Sequence, residues 1–93
     1  MAVTIQVEQE KEGKFRVRIK EGDSSTTHAV TVQPDYYQKL ARGRVSEAEL
    51  VRRSFEFLLE REPKEAILGA FDLAAITRYF PEYEREMARR LGG

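Results

Sequence analysis

The chain has 93 residues, of which 16 are basic and 16 acidic, and it contains no cysteine. The charges also balance within each third of the sequence, which excludes an arm that binds nucleic acid or a membrane surface by charge alone. Without cysteine, neither a disulfide framework nor a thiolate metal site is available. We therefore expect one domain, residues 1–93, in the cytoplasm and without a membrane span, because no long apolar run is present.

Two alternating segments near the N-terminus predict a β-hairpin. Apolar and polar residues alternate in both, as in strands with one buried face: Val3, Ile5 and Val7 in the first, and Phe15, Val17 and Ile19 in the second. Residues 10–13 predict the turn, where Gly13 can take a left-handed conformation. If all six apolar residues share one face, Glu8 comes close to Lys14 or Arg16.

A third strand is predicted at residues 26–33, after a turn at residues 22–25. If Glu21 pairs with Thr26, the apolar residues of the second strand lie opposite the inward-facing residues of the third. The predicted pairs are Ile19 with His28, Val17 with Val30, and Phe15 with Val32. The N-terminal half is thus expected to form a three-stranded antiparallel sheet with one apolar face.

The strongest helix signal lies in residues 46–62. Ser46 is a typical N-cap residue, Glu49 stands where a capping box requires it, and Pro63 ends the helix. Phe57 lies beside the apolar face of this helix. Shorter helical segments are predicted at residues 34–43, 64–69, 73–80 and 81–91. The predicted fold is α+β, with the sheet packed by one long and several short helices from the C-terminal half.

Candidate catalytic groups are sparse. His28 is the one histidine of the chain, and its position on the apolar side of a strand indicates a structural residue at the edge of the core. The alternatives are a catalytic base or a zinc ligand, and a zinc site would need carboxylates alone as its other ligands. No serine lies in a nucleophile elbow, and no glycine-rich loop can hold a phosphate. We therefore expect no enzyme, no metal and no cofactor.

Two surface features remain. The second strand carries a row of basic residues on its polar side: Lys14, Arg16, Arg18 and Lys20. A solvated face balanced by neighbouring glutamates is the first interpretation, and a nucleic-acid platform is the alternative, although Phe15 faces the other way. The aromatic residues of segment 79–83 either fill a corner between helices or anchor a partner. The candidate partner-binding residues are Phe57, Tyr79, Phe80, Tyr83 and Met87.

The third strand and the two helices after it resemble ribbon-helix-helix DNA-binding proteins. The resemblance lies in AVTVQ at residues 29–33, a short helix, and SEAELVRRSFEFL at residues 46–58. It implies that the third strand pairs with the same strand of a second chain and enters the major groove. The DNA-facing residues would then be Thr27, Ala29 and Thr31, with Ser46 near a phosphate. The implied function is a DNA-binding regulator or antitoxin.

A second resemblance covers residues 49–84. The runs ELVRRSFEFLLEREPKEAIL and FDLAAITRYFPEYE resemble a family of small uncharacterised bacterial proteins, which implies no site residue. The leading hypothesis is a non-enzymatic interaction protein that binds a second copy of itself, as a homodimer, or another protein. The DNA-binding regulator is the alternative.

Overall fold

Four strands and four helices form the part of the chain that the computed structural model describes, residues 2–92. The strands are β1 Val3–Lys11, β2 Lys14–Glu21, β3 Ser24–Thr31 and β4 Ala70–Asp72, and the helices are α1 Pro34–Ala41, α2 Glu47–Leu59, α3 Ile76–Tyr79 and α4 Tyr83–Arg90. Two short 3₁₀ helices, Lys64–Ala66 and Leu73–Ala75, lie before β4 and α3. The α+β class predicted from the sequence is confirmed.

The hairpin of β1 and β2 has the predicted face. Ile5 lies opposite Ile19, and Glu8 lies opposite Arg16, with which it forms an ion pair. Gly13 lies in the turn with a φ of +73°. Its carbonyl oxygen accepts a hydrogen bond of 2.9 Å from the backbone N–H of Val32. The turn therefore also holds the chain just after β3.

Gly13→Ala is expected to lower the free energy of unfolding by about 1–2 kcal/mol, because an L-residue is strained at this φ. A Cβ atom here would also lie 3.2 Å from the carbonyl oxygen of Val32. Gly69→Ala is the matched control, since a Cβ at Gly69 meets no atom within 4 Å; its expected effect is within about 0.5 kcal/mol. Urea unfolding followed by circular dichroism compares the two, and equal effects would contradict this role of Gly13.

The pairing of β2 with β3 differs from the prediction by two residues. Glu21 pairs with Ser24, not with Thr26, because the turn consists of Gly22 and Asp23 alone. A shift of two residues keeps every side chain on its predicted face, since side chains alternate with a period of two. The apolar face of the sheet is therefore as expected, although the individual cross-strand partners are not.

The sheet has a fourth strand that the sequence did not predict. β4 pairs in parallel with β3, joining Ala29 to Ala70, Val30 to Phe71 and Thr31 to Asp72, and the strand order is β1-β2-β3-β4. The predicted three-stranded antiparallel sheet is thus a four-stranded mixed sheet. β4 spans three residues and pairs with a strand distant in the sequence, so no local alternation marks it.

Helix α2 covers the apolar face of the sheet and packs beside β1. The hydroxyl of Ser46 accepts a hydrogen bond of 3.0 Å from the backbone N–H of Glu49, as the predicted N-cap requires. The Glu49 carboxylate instead accepts from Arg53 at 2.8 Å, so the reciprocal half of a capping box is not made. Core residues of α2 are Leu50, Val51, Phe55, Phe57 and Leu58.

Helix α4 forms a further layer on α2. Its narrow apolar stripe, Tyr83 and Met87 followed by Leu91, is buried against α2 and α1. Earlier in the chain, Asp72 is the N-cap of the 3₁₀ helix Leu73–Ala75, as predicted. Its carboxylate accepts a hydrogen bond of 3.0 Å from the backbone N–H of Ala74. Because α2 has the sheet on one side and α4 on the other, it is enclosed more completely than a surface helix.

Candidate functional site

Residues 63–72, called the strap below, follow α2 and include β4. They run along the edge of β3 that does not pair with β2. The ammonium of Lys64 is buried, with Nζ 2.7 Å from a carboxylate oxygen of Glu65 and 3.2 Å from one of Glu21. The ion pair of Lys64 with Glu21 joins the strap to the end of β2, and the ion pair with Glu65 lies within the strap. A buried lysine without such partners would be strongly destabilising.

His28 holds the strap at its other end. Its Nδ1 lies 2.7 Å from the carbonyl oxygen of Leu68, and this nitrogen must donate because a carbonyl only accepts. Nε2 lies 2.8 Å from the hydroxyl of Thr26, and the ring packs 5.5 Å from that of Phe55. His28 is therefore a buried residue with both ring nitrogens occupied: Nδ1 binds the strap, and Nε2 binds Thr26 of its own strand.

An apolar groove of about 340 Å³ opens between the strap, α2 and α3. Its walls consist mainly of side chains that also belong to the core or pack against it: Leu58, Ile67, Phe71, Ile76 and Phe80. The base of the groove is therefore formed by packed side chains from several elements. Such a concave apolar surface is typical of a binding site for an apolar group.

Two exposed apolar side chains lie in the lining of the same groove. Leu68 is 48% exposed and Tyr79 is 63% exposed. Within residues 2–92 the other large apolar side chain with comparable exposure is Val3, at 44%, on the sheet. The exposed apolar surface of the molecule is thus concentrated at the groove, as expected for an interaction surface.

Glu62 is the charged residue in the described lining of the groove. No cation lies within ion-pair distance of its carboxylate among residues 2–92, because the neighbouring basic groups have other partners. Arg61 binds Glu82 at 3.0 Å, and Lys64 binds the two carboxylates described above. Partial burial raises the pKa of the Glu62 carboxyl above its usual range. The groove therefore combines an apolar base with an uncompensated negative charge.

Glu62→Gln is expected to be more stable than the wild type near pH 7, by about 0.3 kcal/mol after solvent screening is allowed for. Because the folded pKa is raised, the stabilising contribution of the protonated carboxyl is complete below the unfolded pKa and is lost as the pH rises through the folded pKa. The advantage of the glutamine variant should therefore disappear near pH 3. Urea unfolding at both pH values measures this difference.

Glu65→Gln is the matched control and should behave in the opposite way. The hydrogen bond from Lys64 lowers the pKa of the Glu65 carboxyl, so its contribution is present above the unfolded pKa and lost as the pH falls through the folded pKa. This variant is expected to be less stable than the wild type at neutral pH. Loss of stability in both variants at neutral pH would show that Glu62 is not an unfavourably placed charge.

The structure separates the five predicted partner-binding residues into two groups. Phe57, Tyr83 and Met87 are 0% exposed, because α4 packs its apolar stripe onto α2 and encloses all three. These three residues are therefore not surface contacts, and their side chains belong to the core at the corner between helices. Tyr79 and the partly buried Phe80 instead lie in the groove.

The residues predicted to face DNA are not arranged as the resemblance implies. Thr27 and Ala29 are exposed on the outer face of the sheet beside Thr31, and Ser46 is occupied as the N-cap of α2. β3, however, pairs with β2 along one edge and with β4 along part of the other. A ribbon formed with a second chain needs a free edge of β3, so the ribbon-helix-helix interpretation does not fit this fold.

The basic row on β2 is largely balanced or solvated. Arg16 forms ion pairs with Glu8 and Glu10, and Lys14 donates a hydrogen bond of 2.9 Å to the hydroxyl of Thr31. This arrangement agrees with the solvated face that the sequence predicts.

Within residues 2–92, no group of three or more histidine or acidic side chains is placed to hold a metal ion. In the same range, no helix combines the length and the apolarity that crossing a membrane requires. No protein-family model, curated protein or solved structure matches this chain.

Proposed function

We propose that this protein is a non-enzymatic interaction protein whose groove binds an apolar side chain of a partner protein. The observation that carries the proposal is the position of Leu68 and Tyr79, two strongly exposed apolar residues, in the lining of one apolar groove. Burying such surface is the main driving force of protein association. The side chains at the base of the groove are already packed, so they need little further ordering when a partner binds, and this favours affinity.

The chemistry of the lining supports binding and not turnover. Its ionisable groups within the described residues are the carboxylate of Glu62 and the phenol of Tyr79. Nucleophilic or acid–base catalysis requires a nucleophile held within hydrogen-bond reach of a base and a third group that orients the base. His28 is engaged with Leu68 and Thr26, so its ring nitrogens already have partners.

A second copy of the chain is one source of the apolar side chain. Leu68 and Tyr79 lie in the lining and are strongly exposed, so each of two copies can present them to the groove of the other about a two-fold axis. Sedimentation equilibrium at high micromolar concentration tests this homodimer. Self-association that is lost in Leu68→Ser and kept in Val3→Ser would identify the partner as a second copy, and a monomer would direct the search to other proteins.

The groove itself is tested by panning the full chain against a phage-displayed library of random heptapeptides. Ala66 is exposed and lies in the groove lining, so Ala66→Trp is expected to fill the groove without disturbing the core. Ala88→Trp places the same side chain on the exposed surface of α4, outside the lining. Enriched peptides should carry a large aliphatic or aromatic residue, lose binding to Ala66→Trp and keep it for Ala88→Trp. Failure of enrichment, or equal binding to both variants, would overturn the proposal.

A further inference from the structure

We infer that the segment bound in the groove belongs to another protein and carries a lysine or arginine beside its apolar anchor. This inference rests on the proposed function and specifies the partner of the same groove. It is drawn from the size of the apolar surface and from the charge of Glu62.

Two large exposed apolar side chains at the groove are fewer anchors than a stable dimer of folded chains requires. Stable interfaces bury about 800 Å² on each partner, with aromatic and aliphatic anchors at their centre. Here the exposed large apolar residues at the groove are Leu68 and Tyr79 alone within residues 2–92, and Val3 lies on the sheet. A groove of about 340 Å³ is at the lower end of the range for ligand pockets. It matches one large side chain and its neighbours, and therefore a short segment.

The charge at the groove favours a cationic segment. Glu62 is the charged member of the described lining, and the closest basic residues in the sequence, Arg61 and Lys64, are held by other carboxylates. An opposite charge supplied by a partner would compensate the partly desolvated carboxylate, whereas an acidic segment would be repelled. A basic residue next to the anchor can reach Glu62 while the anchor occupies the apolar walls, since all of these groups line one groove.

The test repeats the heptapeptide panning on three full-length proteins: the wild type, Glu62→Gln and Glu56→Gln. Glu56 is an exposed carboxylate of α2, six residues before Glu62 and outside the groove lining, so its variant is the matched control. We expect lysine or arginine to be enriched near the anchor with the wild type and with Glu56→Gln, and the preference to be absent with Glu62→Gln. The apolar anchor should be enriched with all three proteins.

Isothermal titration calorimetry then measures how much the basic residue of the peptide contributes to its affinity. For one enriched peptide, replacing its basic residue with glutamine should weaken binding to the wild type about fivefold, the upper range for a partly exposed ion pair. The same replacement should leave binding to Glu62→Gln unchanged. A peptide set without basic preference, or a preference that persists in Glu62→Gln, would overturn the inference while the groove proposal stands. If no apolar anchor is enriched with any of the three proteins, the groove proposal itself is overturned. If the chain self-associates through Leu68, the inference of a foreign partner is overturned, because a second copy then occupies the groove.

Discussion

Phe57→Ala is expected to lower the free energy of unfolding by about 3–5 kcal/mol, the largest effect predicted for this chain. The Phe57 ring is enclosed on all sides, with the ring centroid of Tyr83 at 5.3 Å and that of Phe80 at 6.0 Å, both in edge-on contact. The guanidinium carbon of Arg61 lies 3.6 Å from the centre of the Phe57 ring. Truncation would remove these contacts and leave a cavity between α2 and α4, which neither helix can close alone.

Urea unfolding measures this loss, with Tyr79→Ala as the control. Tyr79 is an aromatic residue of similar size but is 63% exposed, so its truncation should change stability by no more than about 0.5 kcal/mol. Peptide binding should show the reverse order: Tyr79→Ala should weaken binding more than Phe57→Ala, because Tyr79 lies in the groove lining and Phe57 does not. Equal stabilities for the two variants would contradict the buried position of Phe57.

Ser54→Ala is expected to cost about 1–3 kcal/mol, because it leaves a buried hydroxyl without an acceptor. The hydroxyl of Ser54 donates to the carbonyl oxygen of Leu50 at 2.8 Å, so the phenol of Tyr83, 2.6 Å away, must donate to Ser54. Burial raises the pKa of this phenol, which keeps it protonated and able to donate. Tyr83→Phe should cost less, about 1 kcal/mol, since Ser54 keeps its bond to Leu50.

The double variant Ser54→Ala with Tyr83→Phe should lose less stability than the two single variants added together. Once both hydroxyls are absent, no buried polar atom of the pair remains unsatisfied. A double-mutant cycle by urea unfolding measures the coupling. Ser25→Ala, at an exposed position of β3, gives the effect of the same substitution at the surface. Strict additivity of Ser54→Ala and Tyr83→Phe would show that the two hydroxyls do not form this bond.

The features predicted correctly are those coded by neighbouring residues. The α2 N-cap at Ser46 depends on a residue type at one position. The predicted end of the helix at Glu62 is wrong by three residues, since α2 ends at Leu59, before the residue that Pro63 restricts. The faces of β1 and β2 depend on a two-residue alternation that only one side of a hairpin can satisfy. Local chemistry determines the N-cap and the strand faces, so both can be predicted from the sequence alone.

The features that were missed depend on residues far apart in the chain. β4 exists because the strap is held beside β3 by Lys64 and His28, and the three-residue segment itself has no strand signal. The register of β3 depends on whether two or four residues form the turn, and the composition of residues 22–25 permits either. Phe57 is predicted to contact a partner because it lies beside the apolar face of α2. Its burial under α4 could not be predicted, because the apolar stripe of α4 is narrow.

The groove could be predicted only in part. Tyr79 and Phe80 stood out as an aromatic cluster, and both lie in the lining. Leu68 and Glu62 gave no signal, because one isolated leucine and one glutamate at a helix end are common in any sequence. Their significance comes from the strap, which turns after α2 and brings both residues to the same concave surface.

Amide chemical-shift mapping of the isotope-labelled chain with p-cresol, the side-chain analogue of tyrosine, tests most directly whether the groove is the binding surface. We expect the shifts to be confined to the segments that line the groove, namely the end of α2 with the residues after it, the strap and α3. The largest changes should be at Ile67, Leu68 and Ile76, and all of them should disappear in Ala66→Trp. Shifts centred on the outer face of the sheet near Arg18, or shifts that persist in Ala66→Trp, would contradict the assignment of the groove as the binding site.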